Sequence, residues 1–230
     1  MTVHLKDFAQ FPGELKFMEA VEAATDKPEG FYRRFGKRGF DILFTVLIAP
    51  AVLTLVGVIA LVMKATGYSP FYTQERIGRN GRLFKIYKIR TMVPNADMVL
   101  EEYLQKDPDA RREWDATQKL KRDPRITSIG AFCRKSSLDE LPQFWNVFKG
   151  DMSLIGPRPM MVEQRALYPG TDYYALRPGI TGKWQVSDRN ESTFAARADY
   201  DAEYNRTLSF GTDLSIMLRT VNVVLRCTGY

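Results

Sequence analysis

The sequence is poor in the residues on which much enzyme chemistry depends. It contains a single histidine, His4, which argues against a Ser-His-Asp triad and against a histidine-rich metal site. Its two cysteines, Cys133 and Cys227, form no CxxC motif, so we expect a reducing cytosolic setting in which both thiols are packed or incidental. Walker A and GxGxxG motifs are absent, and a standard NTPase or dinucleotide-binding fold is therefore not supported. If the chain is an enzyme, its bases and nucleophiles must be carboxylates, tyrosines, lysines or unaided hydroxyls.

The composition indicates a globular chain that favours anionic partners. With 230 residues and 45% hydrophobic content, the chain is long enough for one core and is not disordered by composition. The formal net charge of +6 favours nucleic acid, a membrane surface or a phosphorylated ligand, or else serves solubility alone. Because no recognisable nucleic-acid-reading motif accompanies the charge, we expect no nucleic-acid partner.

A long apolar run follows the first 40 residues. Residues 42–63 include no charged side chain over 22 positions, and a helix of that length measures about 33 Å, close to the hydrocarbon thickness of a bilayer. The run begins too late for a cleaved signal peptide, and no small-residue cleavage site follows it. A buried helix of a soluble protein is the alternative, but the length of the uncharged run favours a membrane helix.

Cationic residues flank this run on both sides, and the positive-inside rule places both flanks in the cytoplasm, which a straight span does not allow. The flanking cations include Arg33, Arg34 and Lys37 before the run and Lys64, Arg76, Arg79 and Arg82 after it. Pro50 lies near the middle and removes a helical hydrogen bond. We therefore predict a re-entrant helix-break-helix anchor, with a proline-kinked straight span as the alternative. Arg38 and Asp41, spaced i, i+3, are predicted to pair at its start.

The remaining pattern predicts helices and one hairpin. Residues 68–92 place two partly alternating stretches around GRNG, which predicts a β-hairpin. Residues 95–120 have a helical pattern interrupted at Asp107-Pro108. A C-terminal amphipathic helix is predicted to pack on the core or to lie in the membrane interface. The apolar residues at its helical spacing are Leu214, Met217, Leu218, Val221 and Leu225.

These elements define the expected fold class as α+β, mainly α. We expect a polar segment at 1–30, the re-entrant anchor at 31–66, and a small catalytic domain at 67–230 with a short β-hairpin and interfacial amphipathic helices. Lys85, Lys88 and Arg90 come close together on the second strand of the hairpin. They suit a solvated strand face, a lipid-headgroup patch or a phosphate site.

The stretch KSSLDELPQFWN, residues 135–146, carries an acidic pair, Asp139 and Glu140. Ser137 and Glu140 match a capping box, and Pro142 fits a first helical turn, so a helix is predicted to begin near 137–139. Two alternatives follow for this acidic pair: the acids cap a helix, or they take part in catalysis. Arginines and lysines crowd the pair in sequence, and the turn-rich segments GDMSLIGPRP and LRPGITG follow, with Arg158 and Arg177 beside prolines and glycines that suit an anion.

Phosphoryl transfer is the chemistry that these parts support. An aspartate carboxylate can attack phosphorus and form an acyl phosphate, and a helix N-terminus would favour both the ionised aspartate and the phosphate. Adjacent helical residues point about 100° apart, so Glu140 is free to hold Mg²⁺ near a diphosphate. Cationic side chains would bear the transition-state charge.

Four segments together resemble the bacterial monotopic phosphoglycosyl transferases, the sugar transferase family that starts polysaccharide assembly on a polyprenyl phosphate. They are KRGFDILFTVLIAP, FYTQERIGRNGRLFKIYKIRTM, DPRITSIGAFCRKSSLDELPQFWNVFKGDMSLIGPRP and LRPGITGKWQVSDRN, and the likeness covers about residues 33–226. The resemblance implies that a sugar 1-phosphate passes from a UDP-sugar to an enzyme aspartate with release of UMP, and then to undecaprenyl phosphate. It also implies Mg²⁺ and a place on the cytoplasmic face of the bacterial inner membrane.

By motif position, the resemblance implies Asp139 as the nucleophile, Glu140 as the Mg²⁺ ligand and Pro50 as the break in the membrane helix. Phosphate contacts are expected from a cationic set: Lys88, Arg90, Arg134, Arg158 and Arg177. A sugar or nucleotide loop is expected from the segment that holds Lys183, Trp184, Gln185, Asp188 and Arg189.

The chain departs from the family pattern at three positions. Ala49 stands where serine is frequent before the membrane proline, and Lys183 and Asp188 alter the GxWQVSGRN segment, where Asp188 replaces a glycine. Ala49 removes any help from a hydroxyl at the break in the membrane helix, and Asp188 bears on the conformation of the loop and on sugar recognition, while the acidic block is intact. The alternative function is a membrane-tethered, non-catalytic regulatory or scaffold protein. The sequence does not name the sugar, and it leaves a homo-oligomer open.

Overall fold

The computed structural model describes residue 21 and residues 30–117, 120–187 and 193–225. The predictions for residues 1–30 and for Asp188 and Arg189 fall almost entirely outside these described residues. Within them the protein is mainly helical with two small two-stranded sheets, in agreement with the expected class. The helices are α1 (Lys37–Ala65), α2 (Ala96–Lys106), α3 (Pro108–Thr117), α4 (Ser128–Lys135), α5 (Gln143–Lys149), α6 (Asp172–Ala175), α7 (Arg197–Thr207) and α8 (Phe210–Leu225). The strands are β1 (Phe71–Ile77), β2 (Leu83–Ile89), β3 (Ser153–Ile155) and β4 (Gly179–Thr181).

The apolar run forms α1, which continues a π-helical turn at Tyr32–Gly36. The whole stretch Tyr32–Ala65 is long and apolar enough to cross a membrane, and only 11% of its most apolar window is buried, so it is not a core helix of the usual soluble kind. Pro50 lies inside α1 without dividing it, and the hydroxyl of Thr54 donates to the carbonyl oxygen of Pro50 at 2.9 Å. The predicted division into two helices is therefore not seen within the described helix.

The beginning of α1 is built into the body of the protein through polar contacts. Buried Asp41 accepts hydrogen bonds from the hydroxyl of Ser153 and the backbone N–H of Leu154, both at 3.0 Å. Arg38 instead donates to the carbonyl oxygens of Val147 and Phe148 at the end of α5. The predicted Arg38–Asp41 pair is therefore wrong, because each side chain instead satisfies backbone groups outside the helix.

A second buried contact ties the same end of the helix to α8. The carboxylate of Asp213 is fully buried and lies 2.8 Å from the ammonium group of Lys37. It also accepts hydrogen bonds from the hydroxyls of Tyr32 and Tyr204, at 2.8 and 2.6 Å. The positive charge and both hydroxyls offset the cost of burying this carboxylate. The beginning of α1 and the beginning of α8 therefore share one polar cluster.

The predicted hairpin is confirmed. Strands β1 and β2 pair antiparallel, with Phe71 opposite Ile89, and the GRNG turn places Asn80 at a φ of 56°. Asn146 fixes the hairpin against α5: its amide nitrogen donates to the carbonyl oxygen of Lys85 at 2.7 Å, and its Oδ1 accepts from the N–H of Tyr87 at 3.1 Å. This contact sets the position of β2, which carries a predicted site lysine.

Strands β3 and β4 form a short parallel pair that the sequence pattern did not predict. Glycines make their junction possible. A Cβ at Gly156 would lie 2.2 Å from the carbonyl oxygen of Arg177, and a Cβ at Gly179 would lie 2.1 Å from the backbone nitrogen of Gly156. Gly182 meets Gly156 in the same way. The glycines of GPRP and LRPGITG thus let two backbones pack together. That these segments also approach an anion stays a prediction.

The predicted C-terminal amphipathic helix is confirmed as α8, but its long apolar stripe does not face the core. Asp213 and Ile216 are buried, whereas an apolar stripe is exposed: Phe210, Leu214, Leu218, Val221 and Val224. The ring of Phe210 meets that of Phe40 on α1 edge to face, with centroids 5.8 Å apart. The exposed apolar surface of α8 is therefore continuous with that of α1.

Candidate active site

The acidic pair lies in a tight 3₁₀ turn, Leu138–Glu140, between α4 and α5. Ser137 has a φ of 57° and makes no side-chain capping bond, and Pro142 occupies the N-cap of α5. An N-cap serine needs an extended backbone to reach the next turn, so the predicted capping box is wrong. Asp139 is presented by a turn between two helices and not by the first turn of an α-helix.

Asp139 is 7% exposed and faces a lysine from the hairpin. The ammonium nitrogen of Lys88 lies 3.6 Å from Oδ2 of Asp139 and 2.9 Å from Oε1 of Glu140. Burial raises the pKa of the Asp139 carboxyl, the charge of Lys88 opposes that shift, and the charge of Glu140 adds to it. The arrangement gives a buried carboxylate that one lysine helps to keep ionised, which suits a nucleophile.

Three of the predicted phosphate-binding arginines line the same cavity. Arg158 approaches Oε1 of Glu140 at 3.5 Å. The Nε of Arg134 donates to the hydroxyl of Thr91 at 2.9 Å, and its charge acts on Asp139. Arg90 donates to backbone carbonyl oxygens just before β1 and at its start, which fixes its guanidinium at the rim.

The other predicted residues are more dispersed. The Nε of Arg177 donates to the carbonyl oxygen of Gly150 at 3.1 Å, and Arg177 is not among the residues that line the cavity. Lys183 forms an ion pair with Glu203 on α7. Gln185 is 6% exposed and lines the cavity, and its amide oxygen and nitrogen are buried without a hydrogen-bond partner among the described residues.

The cavity that holds these groups has a volume of about 900 Å³. Asp139 and Glu140 lie on its wall. The cavity reaches α8 at Val223 and Val224, and it also extends to Trp114 at the end of α3. A space of this size takes a ligand much larger than a monosaccharide, and its polar and apolar walls suit an amphiphilic one.

Three further arginines line the cavity, and sequence reasoning missed them as site residues: Arg76, Arg125 and Arg197. Arg125 forms an ion pair with Asp123. Arg76 projects from β1 and was counted only among the cations that flank the apolar run. Arg197 begins α7, is 9% exposed, and its guanidinium carbon lies 4.2 Å from the ring centre of Trp184 and 4.5 Å from that of Phe194. The sequence around Arg197, FAARADY, has no turn or motif that marks it as a site residue. Only its contact with Trp184 in the folded protein identifies it.

The carboxylates fit the way in which proteins hold Mg²⁺ beside phosphates. Among the described residues no group of three or more His, Cys, Asp or Glu side chains could form a metal cage. Mg²⁺ commonly binds one or two carboxylates and completes its shell with water and substrate phosphate oxygens. Asp139 and Glu140 are adjacent carboxylates on the cavity wall and meet that requirement.

The sequence is similar to those of known bacterial transferases. It is 47% identical over 198 residues to the UDP-galactose-lipid carrier transferase of Erwinia amylovora and 45% identical over 198 residues to the undecaprenyl-phosphate galactose phosphotransferase of Salmonella typhimurium. Each alignment covers 85% of this chain and 42% of the relative, so the chain spans less than half the length of these two proteins. It is also 44% identical over 199 residues to the exopolysaccharide production protein ExoY of Rhizobium meliloti, covering 84% of this chain and 87% of that protein.

The family model described as bacterial sugar transferase matches residues 32–227, which include α1, the hairpin, the acidic turn and α8. This match covers most of the chain, and ExoY matches over most of its own length. The chain belongs to the bacterial sugar transferase family.

Proposed function

We propose that the protein is a phosphoglycosyl transferase that moves a sugar 1-phosphate from a UDP-sugar to undecaprenyl phosphate through a covalent Asp139 intermediate. The observation that carries the proposal is the buried Asp139 on the wall of a large cavity, with Lys88 and Arg158 beside the acidic pair. The names of the relatives, which specify a lipid carrier or undecaprenyl phosphate, support the acceptor class. The product would serve exopolysaccharide, capsule or O-antigen assembly.

The chemistry proceeds by two displacements at one phosphorus. A carboxylate oxygen of Asp139 attacks the β-phosphorus of the UDP-sugar, the bond from that phosphorus to the bridging oxygen breaks, and UMP leaves with the electron pair. An oxygen of undecaprenyl phosphate then attacks the same phosphorus, and the Asp139 carboxylate leaves unchanged. Lys88 keeps Asp139 ionised in the first step, and Arg158 and Arg134 stabilise the negative charge on the equatorial oxygens of the phosphorus.

Mg²⁺ is proposed as the cofactor, held by Glu140 with help from Asp139. When bound, it would supply positive charge to the diphosphate and lower the repulsion between that diphosphate and the acidic pair. The ammonium group of Lys88 contacts both carboxylates in the structure, so these carboxylates would contact Lys88 and the metal ion together. Gln185, whose amide has no hydrogen-bond partner among the described residues, is proposed to contact the sugar or the nucleotide.

We further propose that α1 is a re-entrant anchor at the cytoplasmic face of the inner membrane. Its first turns are fixed to the domain through Asp41, and Met63 near its other end is only 2% exposed, whereas the residues between expose most of their apolar side chains. Cations flank the apolar run on both sides, which supports a bend at Pro50 that returns the helix to the face from which it entered. The stripe on α8 would lie in the interface.

The decisive experiment measures the covalent intermediate. Purified protein in detergent is incubated with Mg²⁺ and a panel of UDP-sugars; UMP release is quantified, and the intact mass is recorded without acceptor. We expect one UDP-sugar to add the mass of its sugar 1-phosphate to the chain. Asp139→Asn should remove the adduct, while Asp109→Asn, at an exposed site on α3, should keep it. If no UDP-sugar releases UMP, the chain is not such a transferase, and the non-catalytic scaffold becomes the better hypothesis.

The membrane path is tested by labelling. Single cysteines placed at Arg34 and at Lys64, near the two ends of the apolar helix, are treated with an impermeant maleimide in inside-out and right-side-out vesicles. The re-entrant arrangement predicts that both react from the cytoplasmic side only. Reaction of the two positions from opposite sides would establish a straight span instead.

A further inference from the structure

A buried carboxylate, Asp201, follows Arg197 by one turn of α7, and the proposed chemistry does not use it. At a spacing of i, i+4 the two side chains share one face of the helix. Asp201 is 6% exposed, and its Oδ2 accepts a hydrogen bond from the hydroxyl of Tyr168 at 2.8 Å. A carboxylate this deep in the fold destabilises the protein when it ionises, unless a cation compensates its charge. Arg197 is the cation nearest along the helix.

Asp201 and Arg197 line the same small cavity, which has a volume of about 10 Å³. A cavity of that size has room for one water molecule, provided that polar groups of the wall bind it. The Nε of Arg197 is buried and has no hydrogen-bond partner among the described residues, so it offers a donor to such a water. The carboxylate of Asp201 offers an acceptor. The two groups therefore interact across a space of one water molecule.

The guanidinium of Arg197 is fixed on its faces, and Asp201 acts on its direction. The ring centres of Trp184 and Phe194 lie 4.2 and 4.5 Å from the guanidinium carbon, and these contacts define the plane of the group. Burial and then the charge of Arg158 lower the pKa of Arg197 to about 9, whereas the charge of Asp201 opposes that shift. An ionised Asp201 therefore attracts one edge of the guanidinium, and a protonated Asp201 leaves it to the repulsion of Arg158.

Asp201 changes its charge near neutral pH. Burial raises the pKa of its carboxyl to about 7, although the hydrogen bond from Tyr168 and the charge of Arg197 lower it; the charge of Asp172 on α6 raises it. The other titratable groups of the small cavity come from the GPRP turn, the segment after Leu167, α6 and α7: Arg158, Tyr168, Tyr173 and Arg197. Burial raises the pKa of both tyrosines, so they stay neutral while Asp201 titrates.

We propose that Asp201 is a positioning residue: its ionised form holds one edge of Arg197 in the small cavity, which directs the opposite edge into the cavity of Asp139, and its protonation releases both. Arg197 lines the two cavities, so one guanidinium connects them. The inference rests on the proposed function, because it concerns the rate of that transfer. The ring of Tyr168 packs edge to face on that of Tyr173, with centroids 5.7 Å apart, which keeps the partner of Asp201 in place.

The test is the pH dependence of UMP release by the full chain in detergent, from about pH 5.5 to about pH 8.5, with the UDP-sugar that forms the adduct. The native rate should rise through about pH 7 as Asp201 ionises. Asp201→Asn resembles the protonated form, so its kcat should be about tenfold lower at pH 8, with KM nearly unchanged and without that rise. Tyr168→Phe removes a hydrogen bond that stabilises the carboxylate, so the rise should move upward by about one pH unit.

Tyr103→Phe on α2 is the matched control, because Tyr103 lines neither cavity, and it should keep the native profile. Tyr168 does not line the cavity of Asp139, so a rise that moves in Tyr168→Phe does not report the ionisation of Asp139. Two results would overturn the assignment. One is a rise that stays at the native pH in both variants. The other is an equal loss of rate at every pH in Asp201→Asn, which would show that the carboxylate only supports the fold.

A second readout needs no turnover. The guanidinium of Arg197 lies over the ring of Trp184, so its movement should change the tryptophan fluorescence of the native protein with a midpoint near pH 7. Asp201→Asn and Trp184→Phe should both lack this transition. A chain that releases no UMP from any UDP-sugar and yet shows the transition refutes the transferase and keeps the coupling between Asp201 and Arg197. A chain that transfers the sugar phosphate without any such transition refutes the coupling.

Discussion

The substitution Gly156→Ala tests the close packing of the two backbones behind the GPRP turn. The added Cβ would lie 2.2 Å from the carbonyl oxygen of Arg177 and 2.9 Å from the nitrogen of Gly179. Both are backbone atoms and cannot rotate away, so the turn must move by about 1 Å to reach ordinary contact distances. Overpacking of this kind costs about 1–3 kcal/mol. For a chain of this size each kcal/mol lowers the melting temperature by about 2–4 °C.

The same displacement should reduce activity, because the turn carries Arg158. A shift of about 1 Å in a positioning group can lower the rate by about 100-fold. Gly39→Ala is the matched control: it lies in α1 with no atom within 4 Å of the added Cβ, and alanine is the better helix former by about 1 kcal/mol. We expect the control to melt at or above the native temperature with native UMP release.

Thermal unfolding followed by circular dichroism in one detergent gives the stability, and UMP release is measured below the lower melting temperature. If Gly156→Ala has the native melting temperature and releases UMP at the native rate, the close backbone contact does not position the turn, and the prediction is wrong.

Three further changes have distinct expected outcomes. Burial raises the pKa of Asp139, so the ionised carboxylate lowers the stability of the folded protein above the ordinary pKa of aspartate. Asp139→Asn should therefore abolish UMP release and yet have a higher melting temperature than the native protein at pH 8. The difference between the two melting temperatures should vanish near pH 3. Burial raises the pKa of Asp201 to about 7, so native stability should fall as pH rises from about 4 to about 7, and a melting series should show this slope absent in Asp201→Asn; a parallel pair of curves would contradict it. Asn146→Leu leaves two backbone groups of β2 unsatisfied and should cost about 2–5 kcal/mol by denaturant titration, whereas a cost below 1 kcal/mol would mean that water replaces the amide.

The local elements of the fold were predictable because short-range chemistry specifies them. The GRNG turn supplies a residue that tolerates positive φ, which closes the hairpin, and Asp107-Pro108 separates α2 from α3. The class and the elements around the acidic block followed from such signals. The parallel β3–β4 pair did not, because its partners are more than 20 residues apart and each strand has only three residues.

Two errors, one at the acidic turn and one at the start of α1, have a common physical origin. The capping box at Ser137 and the Arg38–Asp41 pair were inferred from spacing alone, as though each segment were an isolated helix. In the folded protein Ser137 adopts a left-handed backbone, and Asp41 satisfies the backbone of β3. Tertiary contacts override local preference where a segment is buried. Arg197 escaped notice for the same reason, since only the fold brings Trp184 against it.

The buried ion pair of Lys37 and Asp213 makes the beginning of α1 part of the folded body of the protein. A truncated chain that lacked α1 would keep the Asp213 carboxylate in the interior and lose its cation, Lys37. The loss would cost about 3–5 kcal/mol. That is a large part of the 5–15 kcal/mol that stabilises a typical domain. The first turns of α1 are therefore a structural requirement of the rest of the protein, and a truncation that removes them is expected to unfold at a lower temperature than the full chain.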